Sequence, residues 1–180
     1  MTTLLVADHD NASVKDGTVR ALTAARELGA PVHVLVAGEG ARAAAEAAAK
    51  LEGVEKVLLI EAPIYAHGLA EPLADLVVSL AGGYDAIVAA ASTSGKNVLP
   101  RVAALLDVAQ ISDVTKVLGP KSFEHPIYAG NAIETVETSE PKIVLTVRTA
   151  TFAAAKEGGA SAPIESASAA AEPALAAFKG

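Results

Sequence analysis

Residues 84–114 constrain the fold most strongly, because they join a buried strand, a short polar loop and an amphipathic helix. Residues 85–91 form a run without polar alternation, as a parallel strand covered on both faces requires. Residues 92–96 interrupt this run, Asn97 is a suitable N-cap, and Pro100 is expected in the first turn of the helix. The apolar residues that recur at helical spacing are Val98, Val102, Leu105 and Leu106. One face of this helix is therefore predicted to pack on the core.

Three units of the same kind precede this stretch. Their strands are predicted at 2–7, 31–37 and 56–60. A helix with one apolar face follows the first strand, an alanine-rich helix over about 41–51 follows the second, and a leucine-rich helix follows the third. Strands that alternate with helices predict right-handed crossovers, and therefore an α/β fold in which helices cover both faces of a parallel sheet.

The pattern changes after Leu106. Short β-rich runs follow at 111–117, 122–128, 132–138 and 142–148, separated by Gly-Pro, Gly-Asn and Glu-Pro pairs. These runs predict a β-meander rather than another crossover unit. Pro126 interrupts its own run, which favours an edge or bulged strand there.

From Ala150 onward the composition is that of a linker. Ala, Ser, Gly, Pro and Glu dominate this stretch, with Gly158, Gly159, Pro163 and Pro173 among its turn-forming residues. The sequence therefore predicts one domain over residues 1–150 and a linker over 151–180 that forms few contacts.

Composition excludes several classes of protein. The formal net charge of -7 argues against a nucleic-acid surface, since phosphate binding needs clustered Lys and Arg. Cysteine is absent, which removes disulfides and thiolate chemistry. No apolar run reaches the roughly 18 residues of a membrane span, and the first strand starts almost at Met1, which leaves no room for a targeting peptide. We expect a bacterial cytoplasmic protein.

A dinucleotide fingerprint is the sharpest motif in the chain. Gly38-Glu39-Gly40-Ala41-Arg42-Ala43 follows a predicted strand and opens a helix, and Glu61 stands where the ribose carboxylate belongs. The third fingerprint position is Ala, however, and alanine-rich helices produce such matches by chance. We favour the chance match.

Two loops at strand ends offer a second candidate nucleotide site. Ser92, Thr93, Ser94, Gly95 and Lys96 resemble a phosphate loop, although the Walker pattern requires Gly at position 90, which is Ala. Asp8, His9 and Asp10 follow the first strand, where open α/β sheets place ligands. The alternative readings are turn chemistry and a solvated loop. No Gly-x-Ser-x-Gly elbow is present, and we predict neither a catalytic nor a metal site.

Four blocks of sequence carry a family resemblance. They are Gly-Lys-Asn-Val-Leu-Pro-Arg-Val-Ala-Ala-Leu-Leu-Asp-Val at 95–108, Ile-Ser-Asp-Val at 111–114, Pro-Ile-Tyr-Ala-Gly-Asn-Ala at 126–132 and Val-Arg-Thr-Ala-Thr-Phe at 147–152. In this order they resemble the alpha subunit of electron transfer flavoprotein, and specifically its amino-terminal domain. His125 departs from the family, which usually has Arg there.

The resemblance implies a fold and a role. The fold would be a three-layer sandwich with a Rossmann-like sheet of the adenine nucleotide alpha hydrolase-like type. The domain would be a scaffold and subunit interface, not an enzyme, in a heterodimer with the beta subunit. In the complete protein FAD would be held mainly by a second domain absent from this chain, and AMP by the beta subunit. No FAD-binding residue of the family matches a position here.

The complete protein would carry electrons from dehydrogenases, such as acyl-CoA dehydrogenases, to a quinone reductase. The alternative hypothesis is a free-standing nucleotide-binding domain that uses Asp8, Ser92, Thr93, Ser94 and Gly95. Arg101 adds one expectation, because a cation in the predicted first turn of its helix opposes the helix dipole. It should pair with an internal carboxylate such as Asp113, or contact the beta subunit or the missing flavin domain.

Overall fold

A computed structural model of the chain describes residues 1–29, 31–158, 160–170 and 176–179. The helices are α1 (Asp16–Leu28), α2 (Arg42–Ala49), α3 (Ala70–Leu80) and α4 (Thr93–Leu105). The strands are β1 (Thr3–Val6), β2 (Val32–Gly38), β3 (Val54–Glu61), β4 (Ala86–Ala90), β5 (Gln110–Val114), β6 (Lys116–Gly119), β7 (Ser122–Ile127), β8 (Ala132–Glu137), β9 (Ile143–Val147) and β10 (Ile164–Ser166). The predicted linker residues Gly159, Pro173 and Gly180 lie outside the described residues.

The predicted three-layer α/β sandwich is confirmed. The described residues form a seven-stranded parallel sheet in the order β10-β3-β2-β1-β4-β9-β5. Helices α1 and α2 pack on one face and α3 and α4 on the other. Small side chains let α2 approach the sheet closely: Ala44, Ala45, Ala48 and Ala49 are all buried.

The meander is also present, with three strands instead of four. Strands β6, β7 and β8 form a separate antiparallel sheet. The first predicted run, 111–117, is divided between β5 of the main sheet and the start of β6. The fourth predicted run contains β9, which inserts into the main sheet between β4 and β5 with all of its residues buried. Burial on both faces explains why this strand is apolar at every position except Thr146. Strand β7 is the central strand of this sheet and not an edge. Pro126 is nevertheless tolerated, because the pairing of β7 with β6 ends at Glu124. The N–H that proline lacks would therefore have had no partner on β6.

The segment after Ala150 makes more contacts than its composition predicts. Phe152 is buried, and β10 adds a parallel strand at the β3 edge. Between Phe152 and β10, backbone hydrogen bonds join the chain to α1 and α2. The Ala155 amide donates to the Val19 carbonyl, and the Ala162 amide donates to the Ala49 carbonyl. The expectation of few contacts is therefore wrong for the described part of 151–170, because backbone pairing replaces the missing apolar periodicity.

Helix α4 begins earlier than predicted. Ser92, not Asn97, is the N-cap, and its Oγ accepts a hydrogen bond from the Gly95 amide at 3.1 Å. Pro100 consequently lies inside the helix, on its exposed side. Arg101 also lies well inside α4, so the dipole argument made from the sequence does not apply to it.

Candidate functional site

A cavity of about 420 Å³ opens at the carboxyl ends of β1 and β2. It lies beside the start of α4, at the point where strand order reverses, which is where open α/β sheets bind ligands. Its polar lining residues are Asp8, His9, Asp10, Asn11, Lys15, Tyr65, His67 and Ser94. The structure thus brings four residues of the two predicted loops to one cavity: Asp8, His9, Asp10 and Ser94. Ser92, Thr93, Gly95 and Lys96 do not line it.

His9 is held as a neutral, internally bonded ring. Its Nε2 lies 3.1 Å from the Ala37 carbonyl oxygen, and its Nδ1 lies 3.2 Å from the Asn11 amide nitrogen. The Nε2–H tautomer satisfies both contacts, since it donates to the carbonyl and accepts from the amide. Burial lowers the pKa of His9 below its usual 6.5. Both ring nitrogens are therefore used by the fold and are not available as a general base.

Asp10 organises the loop rather than the cavity. Its carboxylate accepts hydrogen bonds from the amides of Ala12 and Ser13, at 3.0 and 2.7 Å, and from the Ser13 hydroxyl. These hydrogen bonds lower the pKa of Asp10, because they favour the charged form. The main chain of Asp8 is fixed similarly, with its amide donating to Thr18 Oγ1 at 2.7 Å. The loop after β1 is thus held in place by hydrogen bonds within the chain.

Gly38, the first glycine of the fingerprint, leaves space for the side chain of Asn11 and not for a ligand. A methyl group at this position would collide with the Asn11 side chain and would lie 2.9 Å from the Ala41 Cβ. The Asn11 carbonyl also accepts a hydrogen bond from the Ala44 amide, at the start of α2, where a dinucleotide phosphate would bind. Glu61 is exposed at the end of β3. This site does not fit a dinucleotide, which agrees with the interpretation of the motif as a chance match.

The phosphate-like loop is likewise explained by internal contacts. The Ser92 hydroxyl is engaged by the Gly95 amide, and the Ser92 carbonyl accepts from the Lys96 amide at 2.9 Å. Gly95 is required sterically, since a methyl group there would overlap the Ala90 carbonyl oxygen. These residues therefore start a helix that packs tightly on β4, and only Ser94 of the loop reaches the cavity.

The meander presents a surface that the sequence did not mark as a site. The meander tip surface consists of Tyr128 and Ile133 at the turn between β7 and β8, whose exposed fractions are 80% and 58%. Leu118, which is 45% exposed, lies at the opposite end of the meander. Tyr128 and Ala129 have positive φ angles of 49° and 54°, which are uncommon in residues other than glycine. Such backbone outliers cluster at functional positions. In the sequence, the Tyr-Ala-Gly-Asn stretch at 128–131 is the only feature that could have indicated this surface, because Gly-Asn predicts a turn there.

Strand β8 borders this surface and has a free edge. No described strand pairs with its outer side. The Thr138 amide donates to the Lys121 carbonyl at 3.0 Å, and hydrogen-bonded pairs alternate along an antiparallel ladder. The amides of Ile133, Thr135 and Glu137 therefore point away from β7. On its paired side, His125 Nε2 lies 3.1 Å from Glu134 Oε2, so the residue that departs from the family pattern has an internal partner.

Arg101 lies beside an internal carboxylate, as one of the two expectations had it, but that carboxylate is Asp75 and not the example named, Asp113. Asp113 instead accepts hydrogen bonds from Arg148, which lower the pKa of the Asp113 carboxyl. Arg101 Nη2 lies 3.9 Å from Asp75 Oδ1 on α3, and Arg101 Nε is buried without a hydrogen-bond partner among the described residues. The carboxylate that accompanies Arg101 could not be chosen from the sequence, because α3 and α4 meet only in the folded layer.

Neither a metal-ligand cluster nor a membrane-spanning helix occurs among the described residues. They contain no group of three or more His, Asp or Glu side chains placed to hold a metal ion. No helix among them is long and apolar enough to cross a membrane.

The fold and its cavity define a Rossmann-like α/β domain in which polar groups at the carboxyl end of the sheet, such as the His9 ring and the Ser92 hydroxyl, are hydrogen-bonded within the chain. The family model described as "Electron transfer flavoprotein domain" matches residues 3–172, and the chain belongs to this family. The resemblance found in the sequence is thereby confirmed.

The chain is similar to proteins named electron transfer flavoprotein subunit alpha. It is 67% identical to that of Bradyrhizobium diazoefficiens over the whole chain and 57% of the relative's length. It is 48% identical to that of Pseudomonas aeruginosa, over the whole chain and 58% of the relative, and 52% identical to that of Paracoccus denitrificans, over 97% of the chain and 56% of the relative. The chain therefore spans somewhat more than half the length of these relatives.

Proposed function

We propose that this chain is the amino-terminal domain of an electron transfer flavoprotein alpha subunit, where it serves as a scaffold and as a surface for the beta subunit. Its family membership and the names of its relatives support the subunit assignment. The free edge of β8 beside exposed Tyr128 and Ile133 is the observation that carries the interface role. An edge strand with outward amides can accept a further strand, and exposed aromatic and aliphatic side chains are typical anchors of protein interfaces.

In the complete protein the proposed role is electron carriage. Electrons pass from dehydrogenases, such as acyl-CoA dehydrogenases, through FAD to a quinone reductase. FAD is held mainly by a further domain reached through the linker 151–180, and AMP by the beta subunit. The internal bonding of His9 and Ser92 supports a domain without a catalytic site of its own. The chain purified alone is expected to be colourless, and stoichiometric flavin absorbance would contradict this division of roles.

Thr135 offers a matched test of the interface. Thr135→Pro removes an amide that points to the free edge of β8, whereas Thr135→Ala keeps it, and proline is tolerated at strand edges. Both variants are introduced into a complete alpha subunit that is co-expressed with the beta subunit. We expect only the proline variant to weaken co-purification, while both keep the melting temperature of the isolated chain. Full assembly of the proline variant would refute the edge-strand interface.

A free-standing nucleotide-binding domain is the second candidate function, and the meeting of Asp8 and Ser94 in one cavity favours it. Against it, the Ser92 hydroxyl, the Gly95 amide and the Asn11 carbonyl are already hydrogen-bonded within the chain. A thermal-shift screen with AMP, ATP, NAD and FAD separates the two functions. A ligand present at 100 times its Kd would stabilise the fold by about 2.7 kcal/mol. We expect no such shift.

A further inference from the structure

The C-terminal segment follows β3 beyond the end of the sheet. After β10 pairs with β3, the Ala167 amide donates to the Leu59 carbonyl at 3.1 Å. The Ala170 amide then donates to the Tyr65 hydroxyl at 3.0 Å. Tyr65 is buried in the loop between β3 and α3, so this hydrogen bond reaches a fixed part of the domain.

Phe178 makes a second contact with the same loop. Its ring stacks on that of His67, with centroids 3.8 Å apart and planes inclined by 16°. The ring lies over a groove of about 260 Å³ whose other walls include Pro63, Ile64, Leu69 and Pro72. These walls are apolar or proline side chains, which suit an aromatic ring better than a charged group.

We propose that the stretch from Pro63 to Pro72, which runs from the loop after β3 into the first turn of α3, is a docking site for the chain's own C-terminal segment, with His67 as the platform for Phe178. The inference rests on the proposed function where it treats this segment as a linker. The linker is then held to the domain at two further points, Ala170 and Phe178. Tyr65 and His67 also line the cavity at the carboxyl end of the sheet, so the docked segment braces one wall of that cavity.

The tether can be followed with one fluorophore. The chain contains no tryptophan, so Phe178→Trp introduces a single indole at the docking position. We expect acrylamide to quench this indole less efficiently than free N-acetyltryptophanamide. His67→Ala in the same background should lower the docked-to-free ratio by about 2- to 10-fold, the range expected for loss of one aromatic pair. His125→Ala on the meander is the matched control and should leave quenching unchanged.

Tyr65→Phe supplies an independent readout, because it removes the hydroxyl that accepts from Ala170 while keeping the ring. Faster amide hydrogen exchange at Ala170 in this variant is expected. An indole as accessible as the free compound, or quenching unchanged by His67→Ala, would overturn the proposal. These outcomes do not depend on co-purification with the beta subunit, so the docking site and the proposed interface can fail separately.

Discussion

The carboxyl end of the sheet and the meander use their residues in opposite ways. At the cavity, the groups that resemble a nucleotide site are bonded within the chain, as His9 and Ser92 illustrate. At the meander, β8 leaves its outer amides without a described partner and exposes Ile133. A ligand that displaced an internal hydrogen bond would lose about 1 kcal/mol of its binding free energy. A partner that pairs with a free strand edge breaks no hydrogen bond within the chain. Residue type alone therefore does not define a site; the availability of its polar groups does.

The largest effect is expected at Gly95, and it tests whether the phosphate-like loop is shaped by packing against β4. Gly95→Ala places a methyl group against the Ala90 carbonyl oxygen, and should lower the free energy of unfolding by about 3 kcal/mol. Gly82→Ala is the control, because a methyl group there meets nothing within 4 Å, and its effect should range from zero to a gain of about 1 kcal/mol. Urea denaturation of both variants measures the difference. Equal stabilities would remove the steric account of Gly95.

Gly38 and Asn11 form the next test, by a double-mutant cycle. Gly38→Ala alone should cost about 2 kcal/mol through its clash with the Asn11 side chain. Asn11→Gly removes that side chain, and its positive φ of 68° suits glycine. The two changes should therefore couple favourably by about 1 kcal/mol, measured from urea denaturation of the four chains. Strict additivity would mean that Gly38 is not present to accommodate Asn11.

The buried neutral state of His9 predicts a pH dependence. Because burial holds its pKa below 6.5, the unfolded chain binds more protons than the folded one as pH falls through that value. The stability that His9 contributes above pH 6.5 is thus lost on acidification, with a slope of at most about 1.4 kcal/mol per pH unit. Burial lowers the pKa of His33 too, so His9→Gln should reduce the slope without abolishing it. An unchanged slope between pH 7.5 and 5.5 would contradict the buried neutral ring.

The smallest effect is expected on the meander. Ile133→Ser should change the free energy of unfolding of this chain by less than about 0.5 kcal/mol, because the side chain is 58% exposed. Val136→Ser on the same strand is the contrast, since Val136 packs against the core and its replacement should be clearly destabilising. If Ile133→Ser proved as costly as Val136→Ser, the meander tip surface would be part of the fold and not a free surface.

Much of the architecture could be read from periodicity. The strand from Ala86 to Ala90 and the helix after it were predictable, because a buried parallel strand is continuously apolar and a surface helix repeats its apolar face. Strand β10 was not, since three residues in an Ala- and Ser-rich stretch carry no period. The placement of β9 was missed for a related reason: its apolar run indicates burial but not which sheet buries it.

The candidate site was predictable in location but not in chemistry. Asp8 and Ser94 were expected at the carboxyl ends of strands, and they do share a cavity. That Asn11 fills the space beside Gly38, or that Asp75 rather than Asp113 accompanies Arg101, depends on groups far apart in the chain. No spacing rule reports such contacts.

Local sequence patterns therefore determined the βα units and the antiparallel meander of this protein. The family resemblance was also present in the sequence, in four blocks of residues. Only the tertiary structure decided which polar groups remain free, because hydrogen-bond partners such as Ala37 for His9 and Tyr65 for Ala170 are brought together by chain packing. Secondary structure follows from near neighbours, whereas the availability of a group for binding depends on everything that folding places beside it.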